Sequence, residues 1–224
     1  DIAKALDEAA KANPWAFGED EGQTGAGRYS TGAAHGDPMH GDGETDPVEA
    51  AFKDIVGVQF RNGATLGGSL WRRMGFSDVV ALFLAMDSSV ELFKGGVVPL
   101  EEFVRMPYDN DILVRLIVKK RPGAFAYQAV RKQRTDLPTL NCVAAKVGEE
   151  YRVVVGSRPA RAMLLCDERG ILAGGITEES AAAFADYAAG AVPVSGNMWG
   201  SAEYRRALVP VLVRRTLLAL GEVR

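Results

Sequence analysis

The sequence predicts an α+β fold, and three observations carry that prediction. An apolar run at 79–86 has the length and character of a buried helix. Five extended segments follow between 112 and 167, separated by short turns. Two long helical patterns then close the chain. Strands are gathered in one stretch and helices in others, which points to antiparallel sheet with segregated helices rather than to alternating βα units.

The 224 residues are 47% hydrophobic and 25% charged, with a net charge of -3. That is an ordinary globular composition, and it gives no electrostatic footprint for nucleic acid. No apolar run reaches the ~18 residues that a membrane helix needs. Residues 1–12 do not resemble a secretion signal. A reducing, cytoplasmic setting is expected. Cys142 and Cys166 both stand in apolar runs and read as small buried hydrophobes. Two thiols are too few for an iron–sulfur cluster, which takes about four.

In chain order, 2–12 has the spacing of a short amphipathic helix, ended at Asn13-Pro14. Residues 18–46 are rich in glycine and polar side chains and read as an irregular segment without a core. Both histidines, His35 and His40, lie there beside Asp37 and Asp42. With no scaffold to orient them, a solvated loop is the expectation and a metal site is not. Asp46, Pro47 and Glu49 form a helix start, and Val48, Ala51, Phe52, Ile55 and Val56 give it an apolar face. Residues 57–60 are expected as a short extended link.

Next comes Arg61-Asn62-Gly63-Ala64-Thr65-Leu66-Gly67-Gly68-Ser69, closed by Phe76-Ser77-Asp78. Glycines let a backbone approach a ligand closely, and the amides of such a turn attract anions. Ser77 is expected to cap the helix that begins with the carboxylate of Asp78. A hairpin is predicted at 89–100 around Gly95-Gly96, then a short helix from Glu101, then a domain boundary at 107–110. The second part is expected to open with a strand at 112–119, where Leu113 and Ile117 are interleaved with Arg115 and Lys119. Strands at 124–130, 140–147, 151–156 and 161–167 complete a sheet, with 140–147 and 151–156 antiparallel across a short turn. Arg131, Lys132, Arg134, Arg158 and Arg161 read as a solvated face. Gly174-Gly175-Ile176-Thr177 reads as a strand-to-helix turn. Helices are predicted at 177–189, capped by Thr177, and at 201–220, capped by Ser201. Tyr204, Leu208, Val211, Leu212 and Leu217 are expected on the buried side of the last, with a kink or break at Pro210.

Catalytic motifs are missing. There is no nucleophile elbow, phosphate-loop lysine, H-E-x-x-H or dinucleotide fingerprint, and no histidine lies in a predicted element. No catalytic residue and no metal ligand is expected.

The run Phe60-Arg61-Asn62-Gly63-Ala64-Thr65-Leu66-Gly67-Gly68-Ser69, with Ser77-Asp78 and its apolar helix, resembles the second flavin motif in the FAD-binding subunit of molybdenum hydroxylases. That family includes xanthine dehydrogenase, aldehyde oxidoreductases and aerobic carbon monoxide dehydrogenase. The likeness continues through Val90-Glu91-Leu92, Val98-Pro99-Leu100-Glu101-Glu102-Phe103, Ser201-Ala202-Glu203-Tyr204-Arg205-Arg206 and Val213-Arg214-Arg215, covering about 48–220. It implies a partial FAD-binding lobe of the vanillyl-alcohol-oxidase/PCMH type at 47–107. A C-terminal domain like that of the carbon monoxide dehydrogenase flavoprotein follows at 108–224, with the irregular segment 1–46 in front.

The resemblance further implies that Ala64, Thr65, Leu66, Gly67, Gly68 and Ser69 wrap the FAD diphosphate and ribityl. It makes Asp78 an acceptor for the cofactor and Leu113 an apolar flavin-side contact. Arg72 and Gln128 stand at flavin-side positions where the residue type departs from the family. Electrons would pass from two 2Fe–2S clusters on one partner subunit, fed by a molybdopterin subunit, through FAD to NAD or another acceptor. The family's first lobe and its A-G-G phosphate loop have no counterpart in 1–47, so that lobe is expected to be truncated or replaced. A flavin-free docking subunit is therefore the alternative reading. An oxidase of the vanillyl-alcohol type is disfavoured by the C-terminal motifs.

Overall fold

The structure is a computed structural model that describes residues 51–52, 54–119 and 122–223. The expected helix at 2–12, the segment 18–46 with its two histidines, and the Asp46–Pro47–Glu49 start lie outside the described residues. Ala51 and Phe52 are helical, in line with the face predicted for them, but Ile55 and Val56, expected on the same helix, lie in a bend where Val56 takes a left-handed φ of 44.

Two short helices follow, α1 (Val58–Gly63) and α2 (Leu66–Arg72), then α3 (Asp78–Ala85). The extended link predicted at 57–60 is a correction: only Gly57 is extended, and it starts α1. Val58 and Phe60 favour strands, but among the described residues no strand pairs with them, and Phe60 stays exposed. The Arg61 side chain instead ties the helix back to the Ile55 carbonyl at 3.0 Å. All eight residues of α3 are buried, and Ser77 caps it by accepting from the Val80 amide at 3.2 Å.

Strands β1 (Ser88–Leu92) and β2 (Gly96–Pro99) form the expected hairpin, and α4 (Leu100–Arg105) follows. Strand β3 (Leu113–Val118), expected to open the sheet of the second part, instead returns to pair antiparallel with β1, giving a three-stranded sheet in the order β2-β1-β3. A second sheet is an antiparallel meander of β4 (Gly123–Val130), β5 (Leu140–Val147), β6 (Glu150–Gly156) and β7 (Met163–Cys166). Helices α5 (Glu178–Ala191) and α6 (Ala202–Glu222) complete the chain. Thr177 caps α5 reciprocally with Ser180, and Ser201 caps α6.

The meander has an apolar surface on each side. Val143, Ala145, Val147 and Val154 pack into a core with α3, α4 and β1. Cys142, Ala144, Val153 and Val155 point the other way, into a core with α5 and α6. Alternation along a strand sends neighbours to opposite faces, so β5 and β6 serve both layers. Burial pushes the thiol of Cys142 up to about 12 and that of half-buried Cys166 up to about 11. Both are therefore poor nucleophiles at neutral pH.

The last helix departs from expectation twice. It runs unbroken through Pro210 over 21 residues. Its buried side also differs: Tyr204 and Val211 are exposed, while Arg205, Val209, Leu212, Val213, Thr216, Leu217 and Leu220 are buried. The cause is Arg205. Its guanidinium donates to the carbonyls of Thr139, Ser195 and Gly200 and to the side-chain oxygen of Asn197, at 2.6–2.9 Å. A charge that sequence reading sends outward is drawn inward by four acceptors waiting there.

Candidate functional site

The glycine stretch is a corner between two helices rather than a continuous loop. Ala64 and Thr65 are extended, and α2 starts at once behind them. The Thr65 hydroxyl accepts from the Gly68 amide at 3.0 Å, which places Leu66, Gly67 and Gly68 in the first turn. Residues 62–66 and Gly68 are exposed, while Gly67 and Ser69 are half-buried. A Cβ built on Gly67 meets nothing within 4 Å, whereas one on Gly68 comes within 2.9 Å of the Thr65 hydroxyl. The corner thus presents small residues and first-turn amides with open space beside Gly67, which suits close approach by an anionic group.

Asp78 sits at the opening of α3, 5% exposed. Its Oδ1 accepts from the Tyr127 hydroxyl and the Asn141 side-chain amide, both at 2.6 Å. Its Oδ2 accepts from Arg131 at 2.8 Å, and Arg131 also donates to the Tyr127 hydroxyl at 2.9 Å. The ion pair is almost fully buried, with side chains 8% and 4% exposed. Burial, and then the Asp78 charge, push the Tyr127 phenol far above its ordinary pKa. Burial works to lower Arg131, but Tyr127 and Asp78 outweigh it and hold the guanidinium above its usual value.

Sequence reading missed this network and placed Arg131 on a solvated face. The available signal was parity. Tyr127 and Arg131 flank Ala129 at two-residue steps, and Asn141 pairs directly with Ala129. Three polar side chains so share one sheet face around a small residue. Arg158 and Arg161 are also engaged, each on backbone carbonyls: Arg158 on Arg161 and Pro193, Arg161 on Val104 and Met106.

The other sequence-predicted positions spread around this centre. Arg72 is exposed at the end of α2, and its carbonyl accepts from the Tyr108 hydroxyl. Leu113 is half-buried at the start of β3, packs on the first core, and pairs with Leu92 at a bulge. Helix α2 packs against both α3 and β3, which brings the glycine corner, Asp78 and Leu113 onto neighbouring elements. Gln128 follows Tyr127 on β4 and so projects from the other face, where it reaches the Arg215 carbonyl at 3.5 Å. Beside it runs a groove of about 460 Å³ lined by Asp54, Tyr127, Gln128, Arg131, Lys132 and Arg134, among others. Among the described residues no cluster of His, Cys, Asp and Glu could hold a metal ion.

Exposed small residues at the start of one helix and a buried carboxylate in the first turn of the next form an arrangement suited to holding a ligand. Residues 33–120 match the family described as the FAD binding domain in molybdopterin dehydrogenase. The chain is 26% identical over 188 residues to the nicotine 6-hydroxylase medium subunit of Paenarthrobacter nicotinovorans, covering 78% of this chain and 66% of that protein. It is 23% identical over 172 residues to the uncharacterized protein YgfM of Escherichia coli K12, covering 74% of this chain and 63% of that one. The chain thus spans just under two thirds of the length of these relatives. Among solved structures, reconstituted CO dehydrogenase from Oligotropha carboxidovorans superposes with a TM-score of 0.70 at 17% identity, covering 80% of this chain and 68% of that one. Quinoline 2-oxidoreductase from Pseudomonas putida 86 gives 0.65 at 18%, covering 77% and 66%. The resemblance carried by the glycine stretch is therefore shared by the family model over 33–120 and by the nicotine 6-hydroxylase medium subunit, and the solved structures share the fold.

Proposed function

We propose that the chain is the FAD-binding electron-transfer subunit of a cytoplasmic molybdenum hydroxylase complex, with a second FAD lobe at 47–107 and a C-terminal domain at 108–224. Its partners are a 2Fe–2S subunit and a large molybdopterin subunit, and NAD or another carrier accepts the electrons. The observation that carries this reading is the exposed corner at 64–69 inside the segment that matches an FAD binding domain. Bound FAD supplies a redox carrier between the iron–sulfur clusters and a final acceptor. This chain's part is to bind and orient it. Ala64, Thr65, Leu66, Gly67, Gly68 and Ser69 offer first-turn amides and small side chains to the diphosphate and ribityl. Asp78 offers an acceptor, Leu113 an apolar wall and Arg72 the end of α2, whereas Gln128 projects from the opposite face of β4, toward Arg215. None of the described helices is long and apolar enough to cross a membrane.

One observation favours the competing reading of a flavin-free docking subunit: the chain itself supplies three donors to the Asp78 carboxylate. Flavin absorbance of the purified protein, followed by titration of FAD with and without the partner subunits, separates the two. Tight uptake supports the redox reading, and no uptake in either case leaves docking.

Gly67→Ala sharpens that test. The added Cβ enters open space in a helical turn, so folding stability is expected to be unchanged or to rise by up to about 1 kcal/mol. FAD binding is expected to weaken by roughly tenfold or more, since the methyl occupies the space of close approach. Gly68 is a poorer probe because its Cβ would also dislodge the Thr65 cap, worth about 1 kcal/mol. Thermal melts alongside FAD titrations check both halves of the expectation.

A further inference from the structure

We propose that Tyr127, Arg131 and Asn141 are positioning residues for the cofactor: from the meander they hold Asp78 in one pose and leave one acceptor position, on Oδ2, for the flavin nucleotide. This rests on the FAD-binding reading above and goes beyond it by assigning the C-terminal sheet a part in cofactor affinity.

An ionised carboxylate offers about four acceptor positions. Two on Oδ1 are taken by Tyr127 and Asn141, and one on Oδ2 by Arg131. Donors on both oxygens stop rotation of the carboxylate about its own axis. The donors are themselves fixed. Arg131 is held from its other side by the Asp136 carbonyl at 2.8 Å, and it ties the Tyr127 hydroxyl to itself at 2.9 Å. Asn141 is fully buried and faces Gly156 in the register of β5 and β6. A Cβ at 156 would lie 2.2 Å from its side-chain oxygen, so the glycine there makes room for the pose of Asn141. Burial keeps Tyr127 protonated, so it remains a donor throughout the working pH range. The cost of ordering Asp78 is therefore met on folding and not on binding, which strengthens any hydrogen bond it accepts from a ligand.

The test is Tyr127→Phe, which removes one donor and keeps the ring. FAD is titrated by fluorescence quenching, and the visible circular dichroism of the bound flavin and the melting temperature are recorded. The expected result is roughly tenfold weaker FAD binding, the equivalent of one hydrogen bond to a charged group, with an altered flavin dichroism. In an Asp78→Asn background the same change is expected to add nothing, because the residue it positions has lost its charge. An FAD affinity within about twofold of the unmodified chain with unchanged dichroism, or the same loss in both backgrounds, overturns the proposal. If Tyr127→Phe does not fold, Arg131→Lys is read in the same way. No FAD uptake by the unmodified chain overturns the reading on which the proposal rests, and the proposal with it.

Discussion

Arg205→Ala is expected to lower the stability of the protein by about 4 kcal/mol, read as a fall in the urea midpoint at constant slope. The guanidinium is fully buried and donates to Thr139, Ser195, Gly200 and Asn197. These acceptors come from two separate segments, the entry to β5 and the connection from α5 to α6. Removing the donor takes a partner from all four; the Gly200 carbonyl keeps the Asn197 amide and the Asn197 side-chain oxygen keeps the Trp199 amide, so the main loss falls on the Thr139 and Ser195 carbonyls, at about 1–3 kcal/mol for each group left unsatisfied. Arg205→Lys should recover only part of the loss, because an ammonium cannot span four acceptors in the plane of a guanidinium. An unfolding free energy within about 0.5 kcal/mol of the unmodified protein, on the order of a typical surface substitution, would refute the role assigned to it.

Gly75→Ala is expected to cost about 3 kcal/mol, at the upper end of overpacking by a single methyl. The Cβ would stand 2.4 Å from the Ala160 carbonyl oxygen and 3.0 Å from its carbon. Both are backbone atoms, so no side chain can swing aside. The neighbouring contact is rigid as well: the Ser157 amide donates to the Gly75 carbonyl at 2.6 Å. Ser157 itself is held at φ 60 in the left-handed region. The turn between α2 and α3 is thus seated on the β6–β7 connection, and a methyl there must lift it. The loss of FAD affinity should then track the loss of fold, unlike Gly67→Ala, where the two separate. Urea unfolding and FAD titration of the two variants side by side give the contrast.

Much of the fold was legible because local signals agreed with one another. The all-apolar run of α3, the hairpin around Gly95-Gly96, the four strands of the meander and the caps at Ser77, Thr177 and Ser201 each have a mechanism confined to a few neighbouring residues. Where the reading failed, the deciding partner was distant in sequence. Arg131 pairs with a carboxylate 53 positions away, and Arg205 meets a carbonyl 66 positions away. Periodicity treats both as charges for the surface. Helix α1 was missed for the converse reason, since its β-favouring residues find no strand to pair with among the described residues. The tolerance of Pro210 follows from the burial of the residues around it: Val209, Leu212 and Val213 anchor both sides of the missing amide.

The candidate site was legible in part. The glycine corner and Asp78 stood out by residue type and order. The ring of donors around Asp78 did not, because it is assembled from β4 and β5 only once the register is known.

The sheet that serves two layers has a consequence for how the molecule comes apart. Residues at even positions of β5 answer to the helix pair and those at odd positions to the lobe with the glycine corner. Loss of either layer would bare one whole face of the same strands. Partial opening is therefore costly from both directions, and the amides of β5 and β6 should exchange with deuterium only when the entire described fold opens, in a single cooperative event.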